Sequence, residues 1–90
     1  MYAEVMSKLE KLLTRFKSIP ADFTFDELTT LLQAFGYIRV SGGKTGGSRV
    51  EFRDRDSGAP IKLHKPHPGN IVKKYALEQV REFLEGRGKI

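Results

Sequence analysis

The chain reads as an α+β domain, with helices packed on one face of a three-stranded antiparallel sheet. Three observations predict this. Apolar residues recur at helical spacing in two stretches before Gly36 and in a third that begins near Ala76. Between them the period falls to two, in three short alternating runs. The links between those runs suit antiparallel hairpins. The order is helix, helix, strand, strand, strand, helix, and 90 residues make one small domain with a single modest core.

Val5, Leu9, Leu12, Leu13 and Phe16 place a first helix over about 5–16, and Pro20 closes a short linker after it. Thr24-Phe25-Asp26-Glu27 is a capping box, in which the Thr24 hydroxyl accepts from the Glu27 amide and the Glu27 carboxylate reaches back. Phe25, Leu28, Leu31, Leu32 and Phe35 form the stripe of a helix over about 25–35, and Gly36 offers a left-handed stop. The strands are Tyr37-Ile38-Arg39-Val40, Ser48-Arg49-Val50-Glu51-Phe52-Arg53 and Ile61-Lys62-Leu63-His64. Residues 41–47 join the first pair and residues 54–60 the second. Ala76, Leu77, Val80, Phe83 and Leu84 form one face of a last helix, ended by Gly86 or Gly88.

Alternation sorts the strands into two faces. Ile38, Val40, Val50, Phe52, Ile61 and Leu63 are expected to meet the helices. Tyr37, Arg39, Arg49, Glu51, Arg53, Lys62 and His64 are expected on the open face.

Charge is unevenly spread. The net +5 comes almost wholly from residues 37–75, which hold nine Lys/Arg against three Asp/Glu. Such a concentration points to a polyanion such as nucleic acid; the plainer reading is solubility charge on an exposed sheet. No cysteine is present, so a disulfide framework and thiolate metal sites are excluded. Two histidines do not fill a structural zinc site, so no metal and no cofactor is expected. No apolar run approaches the roughly 20 residues of a membrane span, and no secretion signal opens the chain. A soluble, cytoplasmic protein with no membrane partner is the expectation.

The run from Ile61 to Gly69 holds both histidines, at the end of a strand and among lysines. Metal-free RNA cleavage needs a base for the 2′-hydroxyl proton, an acid for the leaving oxygen and cations to steady the phosphorane. Histidine serves either proton role, and lysine or arginine the third. His64 points outward by alternation, beside Lys62 and near Arg49 and Arg53 if the strands pair in order. The plainer reading is an ordinary exposed histidine. His67 starts a Pro-Gly turn, where a structural role is the better reading.

Gly42-Gly43-Lys44-Thr45-Gly46-Gly47-Ser48 is not a P-loop, because Ile38 stands where the pattern needs its first glycine and no helix follows. It reads as a hairpin loop from which Lys44 can reach a backbone phosphate. Lys73 and Lys74 stand at the start of the last helix, with Asn70 offered as a cap. Cations oppose the helix dipole there, a conflict that an anion such as RNA phosphate removes and that solvent screening also relieves. Arg87 and Lys89 read as solubility charge.

Residues 25–85, about two thirds of the chain, resemble the HicA family of bacterial toxins, whose fold is like that of double-stranded-RNA-binding domains. The resemblance rests on Leu32-Gln33-Ala34-Phe35-Gly36-Tyr37, the Gly47-Ser48 pair opening the second strand, the Leu63-His64 strand end and the closing helix. It implies a HicA-like RNA-binding domain over 21–90, to which the amino-terminal helix and linker over 1–20 are extra. It further implies a metal-independent endoribonuclease that cleaves mRNA and is neutralised by a HicB-like antitoxin covering the basic face.

One departure matters: the family follows Gly-Ser with its working histidine, and this chain has Arg49 there. A guanidinium holds phosphate but does not serve as a general base near neutrality. Either His64 has taken over proton transfer, or the chain binds RNA without cutting it efficiently. His64 is therefore the expected catalytic residue. Lys44, Ser48, Arg49, Arg53, Lys62, Lys65, Lys73 and Lys74 are the expected RNA contacts. The alternative is a non-catalytic RNA-binding or protein-interaction module.

Overall fold

The computed structural model describes residues 7–40, 49–66 and 69–90. It has three helices and one three-stranded antiparallel sheet in the expected order: α1 (Lys8–Lys17), α2 (Phe25–Ala34), β1 (Tyr37–Val40), β2 (Arg49–Asp54), β3 (Pro60–His64) and α3 (Lys74–Gly86). The strands lie side by side in chain order, with β2 central.

Both early helices begin with the same device. Ser7 caps α1, its hydroxyl accepting from the Glu10 amide at 3.1 Å while the Glu10 carboxylate accepts from the Ser7 amide at 3.0 Å. Thr24 and Glu27 form the same pair at α2, at 3.1 and 2.9 Å. Glu27 has a second duty, because its other oxygen takes the Arg15 guanidinium at 2.7 Å. Arg15 also reaches Asp22 at 2.9 Å and lies 5.1 Å from the centre of the Phe23 ring. Burial pushes the Glu27 carboxyl up, but the Thr24 amide and Arg15 outweigh it and hold the group below its ordinary value. The chain leaves α1 through Ile19 at φ 52°, a left-handed conformation that costs a β-branched residue about 1–2 kcal/mol and is held here by packing.

One core joins all the elements. Phe16 of α1, Phe25, Leu28, Leu31 and Leu32 of α2, Val50 and Phe52 of β2, Ile61 of β3, and Leu77, Val80 and Leu84 of α3 all belong to it. Phe16 meets Phe23 at 5.8 Å between ring centres, and Phe25 meets Phe52 at 6.5 Å. The Arg81 guanidinium, donating to the Lys17 carbonyl at 2.9 Å, ties α3 to the end of α1.

β1 presents the opposite face to the one that alternation assigned. Tyr37 is 2 % exposed, whereas Ile38 is 51 % exposed. The cause is register. Tyr37 pairs with Asp54 and Arg39 with Phe52, so these two share the core side, while Ile38 and Val40 lie opposite Arg53 and Glu51 on the open side. A slip of one residue exchanges the faces of a whole strand. Apolar character within four residues does not decide the register, and a tyrosine ring buries more surface than isoleucine. Arg39 lies along the rim, its guanidinium 5.8 Å from the Phe25 ring centre.

The β2–β3 turn is built on Asp54. Its carboxylate accepts from the Asp56 amide at 3.0 Å, its carbonyl from the Gly58 amide at 2.8 Å, and Gly58 takes φ 78°. Two further expectations need correction. Lys73, not Asn70, caps α3, and it does so without a side-chain hydrogen bond. The Asn70 carbonyl accepts from the Phe25 amide at 2.8 Å instead, which fastens residues 70–72 beside the start of α2. Arg87 and Lys89 are more than solubility charge. Lys89 pairs with the buried Asp54 at 3.1 Å and lies 5.6 Å from the Tyr37 ring centre, while Arg87 lies 4.7 Å from that of Phe83.

Candidate functional site

The open face of the β2–β3 pair sets the electrostatics of the site. Across the ladder Arg49 faces His64, Glu51 faces Lys62, and Arg53 faces Pro60. Opposed side chains have Cβ atoms about 4.5–5.5 Å apart, so the Arg49 guanidinium is within reach of whatever the His64 ring touches. Arg53 is not. It stands four residues along β2, about 13 Å from the level of His64 at strand rise. Its Nε is also held by the Glu51 carboxylate at 2.6 Å. Glu51 therefore neutralises the middle of this face, and its positive end is the one that carries His64.

A groove of about 330 Å³ runs between the end of β3 and the first turns of α3. On the α3 side its wall is steadied by the segment before that helix, where the Val72 amide donates to the Phe23 carbonyl at 2.8 Å. Lys62, His64, Lys65 and Lys73 line it, together with Ile71 and Tyr75. Four residues selected from sequence as RNA contacts or as the catalytic group thus converge on one feature. Lys73 is exposed at the cap and Lys74 is the first residue of α3, and Lys74 does not line the groove. Lys44, Ser48 and His67 lie outside the described residues.

Ile71 and Tyr75 are the wall residues that sequence reading passed over. They are 46 % and 62 % exposed. A signal was present for Tyr75, an aromatic directly after Lys73-Lys74 and off the Ala76, Leu77, Val80 stripe, hence turned away from the core. Ile71 gave none, since its exposure follows from the backbone pairing of residues 70–72 with 23–25.

A second depression, of about 510 Å³, lies at the other end of the sheet and is lined by Asp54, Glu82, Phe83, Arg87 and Lys89 among others. Its charges are mixed and its lysine is already paired. The Asp56 amide, more than any other group, holds the Asp54 carboxyl below its ordinary value, with Lys89 adding to the effect against burial.

Among the described residues, no three His, Cys, Asp or Glu side chains converge in a way that would hold a metal ion. Among the same residues, no helix is long and apolar enough to cross a membrane. No known protein family, curated protein or solved structure matches the chain.

Proposed function

We propose that the chain binds RNA along the His64 end of its open face and cleaves it as a HicA-like toxin of the cytoplasm, held in check by a HicB-like antitoxin. The observation that carries this reading is the convergence of Lys62, Lys65 and Lys73 with His64 on one groove, with Arg49 directly across the ladder. Cations at those positions suit successive phosphates of one strand.

In the proposed step the His64 imidazole takes the proton from a ribose 2′-hydroxyl. The 2′-oxygen forms a bond to the adjacent phosphorus and the 5′-oxygen leaves, giving a 2′,3′-cyclic phosphate and a 5′-hydroxyl. The leaving oxygen takes a proton from water. Arg49 and Lys62 stabilise the charge that builds on the phosphoryl oxygens. Arg49 fills a phosphate-holding role, its planar guanidinium offering paired N–H donors to the phosphoryl oxygens.

The second reading, an RNA-binding module without cleavage, is favoured by one specific feature: Arg49 stands where the resembling family has its histidine. Expression of the chain alone in bacteria separates the two. The cleaving toxin arrests growth with loss of mRNA, and His64→Ala relieves the arrest. Unimpaired growth with intact mRNA supports the non-catalytic module.

A further inference from the structure

The groove has a feature that phosphate binding leaves unused. Tyr75 is the most exposed of the large hydrophobic side chains among the described residues, at 62 %, and Ile71 is 46 % exposed. Both line the groove together with Lys62, His64, Lys65 and Lys73. A strand that used only the cations would leave this apolar and aromatic wall in water.

Resting on the RNA-binding reading above, we infer that Tyr75 and Ile71 form a nucleobase subsite, so that the groove takes an unpaired, unstacked base next to the phosphate at His64. Two properties of RNA argue for this occupant. Base faces are flat and apolar and stack on aromatic rings whatever their sequence, while the phosphates on either side need cations at short range. The groove supplies both within one volume of about 330 Å³. Paired bases are hidden in the stack, and an A-form duplex shows a protein mainly phosphates and 2′-hydroxyls. A duplex therefore meets the lysines but leaves the Tyr75 wall unfilled. Single-stranded segments, loops and bulges are the substrate class that fits. A base held there also fixes the adjoining ribose, which orients the 2′-hydroxyl that His64 must deprotonate.

The test is equilibrium binding of the full chain to a labelled 12-nucleotide RNA, single-stranded and as its blunt duplex, at one fixed salt concentration. Wild type, Tyr75→Ala and Tyr75→Phe are compared. The expected result is that Tyr75→Ala weakens single-strand binding about 5- to 100-fold, the range of one lost base stack. Duplex affinity changes less than about twofold, and Tyr75→Phe stays close to wild type on both. Because Tyr75 is exposed, the variants are expected to fold, and circular dichroism checks this. An unchanged single-strand affinity in Tyr75→Ala, with RNA still bound, overturns the base subsite and leaves RNA binding standing; an acidic protein segment as the occupant predicts that same outcome. Failure of the wild type to bind either RNA form removes the RNA reading itself, and the subsite with it.

Discussion

Arg49 and His64 stand opposite one another across the β2–β3 ladder, the last pair before β3 ends. A permanent cation is thereby set against the one described side chain suited to proton transfer near neutrality. The ladder that sets them opposite runs over five residue pairs, from Arg53–Pro60 to Arg49–His64, and from Glu51 to Asp54 β2 is bonded to β1 as well. Groups carried on such a strand keep their spacing, as positioning of a phosphate against a base requires.

The two arginines on this face are expected to differ. Among the described residues Arg49 has no ion-pair partner, whereas Arg53 is held by Glu51 at 2.6 Å. Arg49→Ala should weaken RNA binding about tenfold and Arg53→Ala by about twofold or less. Glu51→Gln should strengthen it about two- to fivefold, by removing a negative charge and freeing Arg53. Titration of one labelled RNA against the three variants at a single salt concentration checks the order.

The inverted faces of β1 have a direct stability test. Tyr37→Ala empties a core position and should cost about 3–5 kcal/mol, whereas Ile38→Lys, on the open side, should change stability by less than about 0.5 kcal/mol. Urea denaturation of both variants measures this. The opposite order would return β1 to the faces that simple alternation assigns.

Asp54 makes stability depend on acid in a defined sense. Its folded-state pKa is depressed, by the Asp56 amide first and with help from Lys89. Its stabilisation is therefore fully present above the ordinary carboxylate range and is lost as pH falls through the depressed value. Lys89→Met removes part of the depression. The variant should lose more stability at pH 7 than at pH 2, so the gap between neutral and acid stability narrows. Thermal melts over that pH range follow it, and an unchanged gap would show that the pair does not act on Asp54.

The helices and the strand order were legible because each carries its own local signal: the Thr24–Glu27 box, the Gly36 stop at φ 92°, and the change of period after it. What escaped was set by pairing between distant residues. Four residues of β1 contain no information about whether Arg39 or Ile38 will lie beside Phe52. The Lys89–Asp54 pair joins residues 35 positions apart, and nothing local marks either as a partner. At the site, alternation correctly turned Lys62 and His64 outward, because β3 is anchored by Ile61. The groove itself was not legible, since one of its walls is the segment 71–73, whose pairing with residues 23–25 has no local signal.

The central claim is that His64 performs proton transfer in RNA cleavage on this face. Its most direct test incubates the purified chain with a 5′-labelled single-stranded RNA and resolves the product ends, beside His64→Ala and His64→Gln at matched RNA occupancy. The account predicts fragments ending in 2′,3′-cyclic phosphate from the wild type, with cleavage at least about 100-fold slower in both variants while their RNA affinity stays within a few fold. Undiminished cleavage by His64→Ala, or bound RNA left intact by the wild type, would contradict it.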